Sequence, residues 1–262
     1  MAKTKQVKAV RRVGVSPVGA AARAIAAKEP TAARLDTKRR GASKTKRPLA
    51  PERVAAILDA LERTYPGAVC ALDHRSAWEL TVATILSAQC TDARVNLVTP
   101  RLFALYPTPS AIAAASLPEL EEVIRTTGFF RNKSKSIQGA ARAVVERYGG
   151  EVPQTMEELL SLPGVARKTA NVVLGSWFAI AVGVVVDTHV LRLSRRLELT
   201  KETDPVKVEQ DLIEVIPQEK WIDYSHMIIQ HGRQICVART PQCVDCTLEK
   251  VCNSGDKTWS SH

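Results

Sequence analysis

Six cysteines occur in the 262 residues, and four of them, Cys236, Cys243, Cys246 and Cys252, follow the spacing C-x6-C-x2-C-x5-C. With no secretory segment in the chain, such a group points to a metal centre rather than to disulfides. Four thiolates suit a tetrahedral zinc or an iron–sulfur cluster. Zinc ribbons usually carry two C-x2-C pairs on separate loops. A single pair here, with all four ligands on one short segment, favours wrapping around a larger iron–sulfur cluster. Four cysteine ligands leave no open iron site, so the expected role is structural. Cys70 and Cys90 stand alone and read as small core residues.

A second group lies upstream. Residues 155–174 read TMEELLSLPGVARKTANVVL. This predicts a helix over about 155–162, a tight turn at Pro163-Gly164-Val165, and a second helix from about Ala166. Gly164 is where a positive φ is needed. The turn and the first turn of the second helix would present unbonded N–H groups, a site for a phosphate, so the hairpin could grip a nucleic-acid backbone without reading sequence. The alternative is a plain helical hairpin. Lys168 falls in that first turn, where the positive end of the helix dipole favours the neutral, nucleophilic amine. Such an amine can attack a sugar carbon and form a Schiff base. Nineteen residues on, an apolar run ends in Asp187-Thr188-His189. Asp187 is expected either to cap the next helix or to stand as a partly buried carboxylate facing Lys168. His189 is given a structural role.

The elements that must position these groups read as helices throughout. Val54, Ile57, Leu58 and Leu61 recur at helical spacing. Thr108-Pro109 and Asp204-Pro205 place a capping residue before a proline. Ser116 with Glu119, and Thr155 with Glu158, form capping boxes. Residues 78–88 are apolar nearly all round, which predicts a buried central helix. Only residues 180–186 are β-branched enough to suggest a strand. With no partner strand in sight, they are read as a buried helix end or loop. No solenoid repeat is visible, and the fold class is all-α.

Composition bounds the rest. Hydrophobic residues make up 45% of the chain, which excludes a wholly disordered protein. The longest apolar run, 177–186, is too short to span a membrane. The formal net charge of +10 is unevenly placed. Residues 1–48 hold 14 Lys/Arg against 2 Asp/Glu, whereas the remaining 214 residues hold 23 against 25. A basic tail on a near-neutral body suggests a polyanionic partner, most simply nucleic acid; a solubilising extension or an organellar transit segment are the alternatives. Too few large apolar side chains lie before Leu49 to offset the entropy of ordering, so residues 1–48 are expected to be disordered.

At this point LSAQCTD at 86–92, LPGVARKTANVVL, VDTHV and the four-cysteine spacing, in this order, resemble endonuclease III. That family is the bifunctional DNA glycosylase and abasic-site lyase branch of the helix–hairpin–helix superfamily. The match runs from about Leu49 to Cys252. The resemblance implies a fold of two lobes with a DNA cleft between them. One would be a six-helix barrel, 70–181, with the helix–hairpin–helix at about 155–178. The other would join 49–69 to 182–262 and carry a 4Fe–4S cluster held by Cys236, Cys243, Cys246 and Cys252.

It further implies Lys168 as the Schiff-base lysine and Asp187 as the catalytic aspartate. Gln89 would fill the gap left by a flipped base, and Phe129 would wedge into the duplex. Gly164, Ala166 and Arg239 would contact phosphate. Three positions depart from the family pattern. The hairpin reads Gly-Val-Ala rather than Gly-Val-Gly, Thr240 replaces a common second basic residue, and Phe129 replaces a leucine.

The implied activity is base-excision repair: release of oxidised pyrimidines and cleavage at abasic sites by β-elimination. The implied partner is double-stranded DNA with damaged bases or abasic sites, bound by a monomer in the bacterial cytoplasm, at the nucleoid. Two rival readings are the adenine-glycosylase branch and a non-catalytic DNA-binding module. Against the first, the chain stops ten residues after Cys252, short of that branch's extra C-terminal domain, and carries Lys168. Lys168 and Asp187 together argue against the second.

Overall fold

A computed structural model describes residues 50–258. The expectations for the basic tail lie outside the described residues. Within them are eleven α-helices, three short 3-10 turns and no strand. Among the described residues no helix is long and apolar enough to cross a membrane.

Two hydrophobic cores organise these helices. The first gathers α2 (Ala77–Leu86), α3 (Asp92–Leu105), α4 (Pro109–Ala114), α5 (Leu117–Ile124), α6 (Phe130–Tyr148), α7 (Met156–Leu160) and α8 (Arg167–Ser176). At its centre is α2, in which every residue from 78 to 86 is buried. That explains its lack of a polar stripe: α3, α6 and α8 all pack against it. The second core gathers α1 (Pro51–Thr64), α9 (Thr188–Arg196), α10 (Pro205–Val215) and α11 (Trp221–Gln234), with Leu248 added from the C-terminal segment.

Residues 180–186 are neither helix nor strand. After a bend at 182–183, where Val182 is exposed, residues 184–186 pass between the cores, so Val184 and Val186 enter the second core and Val185 the first. Side chains of an extended chain alternate in direction, and here both faces meet apolar surroundings. The β-branched run Val184–Val186 therefore reflects burial on both sides without a ladder. Val185 N–H donates instead to Ser225 Oγ at 3.1 Å.

Helix starts follow the expected punctuation with one exception. Thr108 Oγ1 accepts from Ala111 N–H, Thr155 Oγ1 from Glu158 N–H, and Asp204 Oδ1 from the N–H groups of Val206 and Lys207. Ser116, in contrast, makes no side-chain cap. Its box partner Glu119 is within 3.5 Å of the Tyr106 hydroxyl instead. The sequence pattern was present, but tertiary contacts took the carboxylate elsewhere.

Candidate active site

The 155–174 segment folds as a helical hairpin. Gly164 has φ +78°, and a Cβ built there would lie 2.6 Å from Ser136 Cβ on α6. Pro163 packs at Gly139, one turn further along α6. The turn is thus held against small residues of α6 and tolerates only glycine at its tip. Val165 N–H donates back to Leu162 O, whereas the N–H groups of Gly164 and Ala166 donate to no acceptor among the described residues. Ala166 is the uncapped N-cap of α8, with φ −94°. A residue with negative φ here does not need to be glycine, so replacing the usual Gly by Ala preserves the amide geometry. Gly164→Ala is expected to cost about 1–3 kcal/mol of stability and to weaken duplex binding. Thermal melting and binding across a salt series would check both. An unchanged melting temperature would show that the turn relaxes freely.

Lys168 is the second residue of α8, exposed and with no hydrogen bond or ion pair among the described residues. Asp187 caps α9: its Oδ1 accepts from His189 N–H and Val190 N–H, both at 2.8 Å. Both cap bonds use one oxygen, and Oδ2 makes no hydrogen bond among the described residues. The two readings of Asp187 are therefore compatible. The carboxylate is half-buried, anchored by one oxygen and open at the other.

Lys168 and Asp187 line two adjoining cavities, of about 580 and 930 Å³. The larger also takes in Gln89, Thr188 and His189. The smaller extends back along the 64–72 segment to His226 and Gln230. Nineteen residues of sequence separation are closed because α8 leads into the irregular 180–186 segment, which returns beside α8 and ends just before Asp187. Gln89 is exposed and left-handed, with φ +51°.

Phe129 shares that strained conformation, at φ +47° and 63% exposed, but it lines neither cavity. The guanidinium groups of Arg125 and Arg131 lie 5.6 and 5.7 Å from the ring centroid of its neighbour Phe130. Arg239 is exposed and outside both cavities, as is Thr240. Cys70 and Cys90 pack against the first core, half-buried as expected of core residues, yet each also borders one of the cavities.

Cys236, Cys243, Cys246 and Cys252 all line one separate cavity. Among the described residues, no three His, Cys, Asp or Glu side chains converge as they would around a single ion. The four thiols border one shared space, and a set of four thiolate donors can hold a metal centre. Two donors reach the sulfurs. Arg196 NH1 donates to Cys236 Sγ at 3.1 Å, and His231 Nε2 lies 3.4 Å from Cys246 Sγ. Burial pushes the Cys246 thiol up to about 11. Burial also drops His231 to about 4. Its neutral ring can accept from Tyr65 Oη at Nδ1, 2.9 Å away, and donate to sulfur at Nε2.

The sequence model of the HhH-GPD superfamily of base excision DNA repair proteins matches residues 82–218. Endonuclease III of Synechocystis sp. is 59% identical over 203 residues, covering 78% of this chain and 93% of that protein. The chain belongs to the endonuclease III family. Endonuclease III of Escherichia coli is 37% identical over 201 residues, covering 77% of this chain and 95% of that protein. A solved structure of a trapped endonuclease III–DNA covalent intermediate superposes with a TM-score of 0.75 at 43% identity. It covers 79% of this chain and 97% of that one.

This endonuclease III chain also carries site residues that the sequence reading did not single out. Arg233 on α11 pairs with Asp92 at the start of α3, and both line the two cavities beside Lys168. The pair joins helices from the two cores, 141 residues apart in sequence. No local pattern marks such a pair, although Asp92 closes the LSAQCTD motif. Arg196 holds the cysteine segment through Val237 O, Ala238 O and Asp256 as well as through Cys236. Its only sequence signal is the arginine-rich end of α9.

Proposed function

We propose that this protein is a base-excision DNA glycosylase and abasic-site lyase that acts on oxidised pyrimidines in double-stranded DNA. The observation that carries this reading is one cavity lined by an unpaired amine, Lys168, a carboxylate with one free oxygen, Asp187, and Gln89. Its relationship to a protein captured as a covalent DNA intermediate supports the lyase branch. Gly164 and Ala166 amides take a backbone phosphate, aided by the dipole of α8; Arg239 adds a further phosphate contact. Gln89 occupies the gap left by the flipped nucleotide and Phe129 wedges between base steps. Flipping costs a few kcal/mol and least for a damaged base.

The damaged base departs with the electrons of its bond to C1′. Asp187 faces the positive charge that develops on the sugar. The Lys168 amine bonds to C1′ and loses a proton as the sugar ring opens, leaving an imine. The imine acidifies C2′. Loss of a C2′ proton expels the 3′ oxygen and cuts the strand, and water then hydrolyses the imine and frees Lys168.

The two hydrophobic cores are read as the two lobes, with the DNA cleft between them. Cys236, Cys243, Cys246 and Cys252 would hold a 4Fe–4S cluster, which when bound cross-links a segment that has little core of its own. Cys243→Ser is therefore expected to give poorly soluble protein, and the wild type to be brown and contain iron rather than zinc. Elemental analysis and the soluble yield check this. A colourless, soluble, active quadruple variant would remove the cluster from the account. We read the protein as a monomer, and its bacterial relatives support work in the bacterial cytoplasm. The test of the function is strand cleavage of a panel of duplexes, each with one defined lesion. Cleavage of oxidised-pyrimidine and abasic duplexes, but not of undamaged or mismatched-adenine duplexes, is the expected result. Binding without cleavage would favour a non-catalytic DNA-binding module.

A further inference from the structure

Among the described residues Lys133 is the one buried lysine, 5% exposed. It lies on α6, one turn beyond Phe129. Its Nζ donates to Leu86 O at 2.8 Å and to Thr127 O at 2.7 Å. Both acceptors are carbonyls at the ends of helical segments, where intrahelical partners run out. Leu86 ends α2, and Thr127 ends the 3-10 turn after α5. From each carbonyl the chain enters a tight turn whose tip is a strained non-glycine residue. Gln89 follows Leu86 by three residues at φ +51°, and Phe129 follows Thr127 by two at φ +47°. Left-handed conformations at such residues persist only when the surroundings over-determine them. One amine bonded to both carbonyls keeps the two turns within the reach of a single side chain.

We propose that Lys133 is a positioning residue that sets the spacing between Gln89 and Phe129, and with it the opening made in the duplex around a lesion. This rests on the reading of those two residues as gap filler and wedge. A methionine of similar stem would fill the space, but it would leave both carbonyls without their donor and each turn free to shift. A shift of about an ångström at a recognition element is enough to cost on the order of 10- to 100-fold. The hairpin's phosphate contacts use the amides of Gly164 and Ala166, to which Lys133 makes no hydrogen bond.

The test is the ratio of affinities for a duplex with a tetrahydrofuran abasic analogue and for the same duplex undamaged. It is measured for full-length wild type, Gln89→Ala, Phe129→Ala, Lys133→Met, and Lys133→Met in the Gln89→Ala/Phe129→Ala background. A 2-aminopurine opposite the analogue reports unstacking of the orphan base. Lys133→Met is expected to lower the ratio roughly tenfold or more and to reduce the 2-aminopurine signal, with undamaged-duplex binding unchanged. In the Gln89→Ala/Phe129→Ala background it should add nothing. An unchanged ratio in Lys133→Met overturns the proposal. So does an equal loss in the doubly substituted background, which would mean that Lys133 acts only on the fold. If Gln89→Ala and Phe129→Ala leave the ratio unchanged, the wedge reading fails first and the proposal with it, a failure visible without touching Lys133. Should Lys133→Met not fold, as judged by its thermal melt, Lys133→Gln enters the same cycle. Its shorter amide cannot span both carbonyls, so the same loss is expected and the same outcomes overturn the proposal.

Discussion

Lys168→Gln is expected to abolish borohydride trapping of the protein on abasic DNA. It should also slow single-turnover strand cleavage by on the order of 10³-fold or more, the scale of losing a covalent route. Only a primary amine forms the imine that borohydride reduces. Glutamine keeps a polar side chain of similar length on the exposed first turn of α8, where Lys168 makes no contact that the fold depends on. Stability and duplex affinity should therefore stay close to wild type. The amides of Gly164 and Ala166 are untouched, so the phosphate contact proposed for the hairpin is retained. Gel analysis of trapped complexes, with binding measured in parallel, separates chemistry from affinity. Efficient trapping of the glutamine variant would mean that another amine forms the imine.

Asp187→Asn isolates charge from architecture. Asparagine is as good an N-cap as aspartate, so its side-chain oxygen can go on accepting from the N–H groups of His189 and Val190. The α9 start should survive with little change in melting temperature. What disappears is the negative charge beside the sugar. Base release is then expected to slow by roughly 10²-fold or more, as when one preorganised electrostatic group is removed. Asp187→Ala loses the cap as well, costing about a further 1 kcal/mol of stability. Base release measured apart from strand cleavage, on a duplex with one oxidised pyrimidine, decides the matter. Wild-type base release by Asp187→Asn would leave Asp187 with the cap alone.

Much of the candidate site was legible because its residues are local in sequence. The hairpin needs a glycine with positive φ at Gly164 and free amides at the start of α8, and LPGVARK states both. The four cysteines lie on one short segment, so their spacing already pointed to a shared cavity. The buried α2 was legible from an apolar run without a polar stripe. The Ser116 box failed because a capping pattern is only an offer to the backbone, and Glu119 had another place to go.

Residue types and short spacings, then, determined the all-α class, the hairpin, the cysteine group and the choice of Lys168 and Asp187 as chemical groups. Tertiary structure alone decided that these two residues face one cavity, because only the returning 180–186 segment, whose Val184–Val186 end is buried between two cores, carries Asp187 back to the start of α8. It alone paired Asp92 with Arg233 and seated Lys133 under two turns. Such contacts join residues from 6 to 141 positions apart. A periodicity reports which face of a helix is buried, but not which carbonyl or carboxylate waits on the other side.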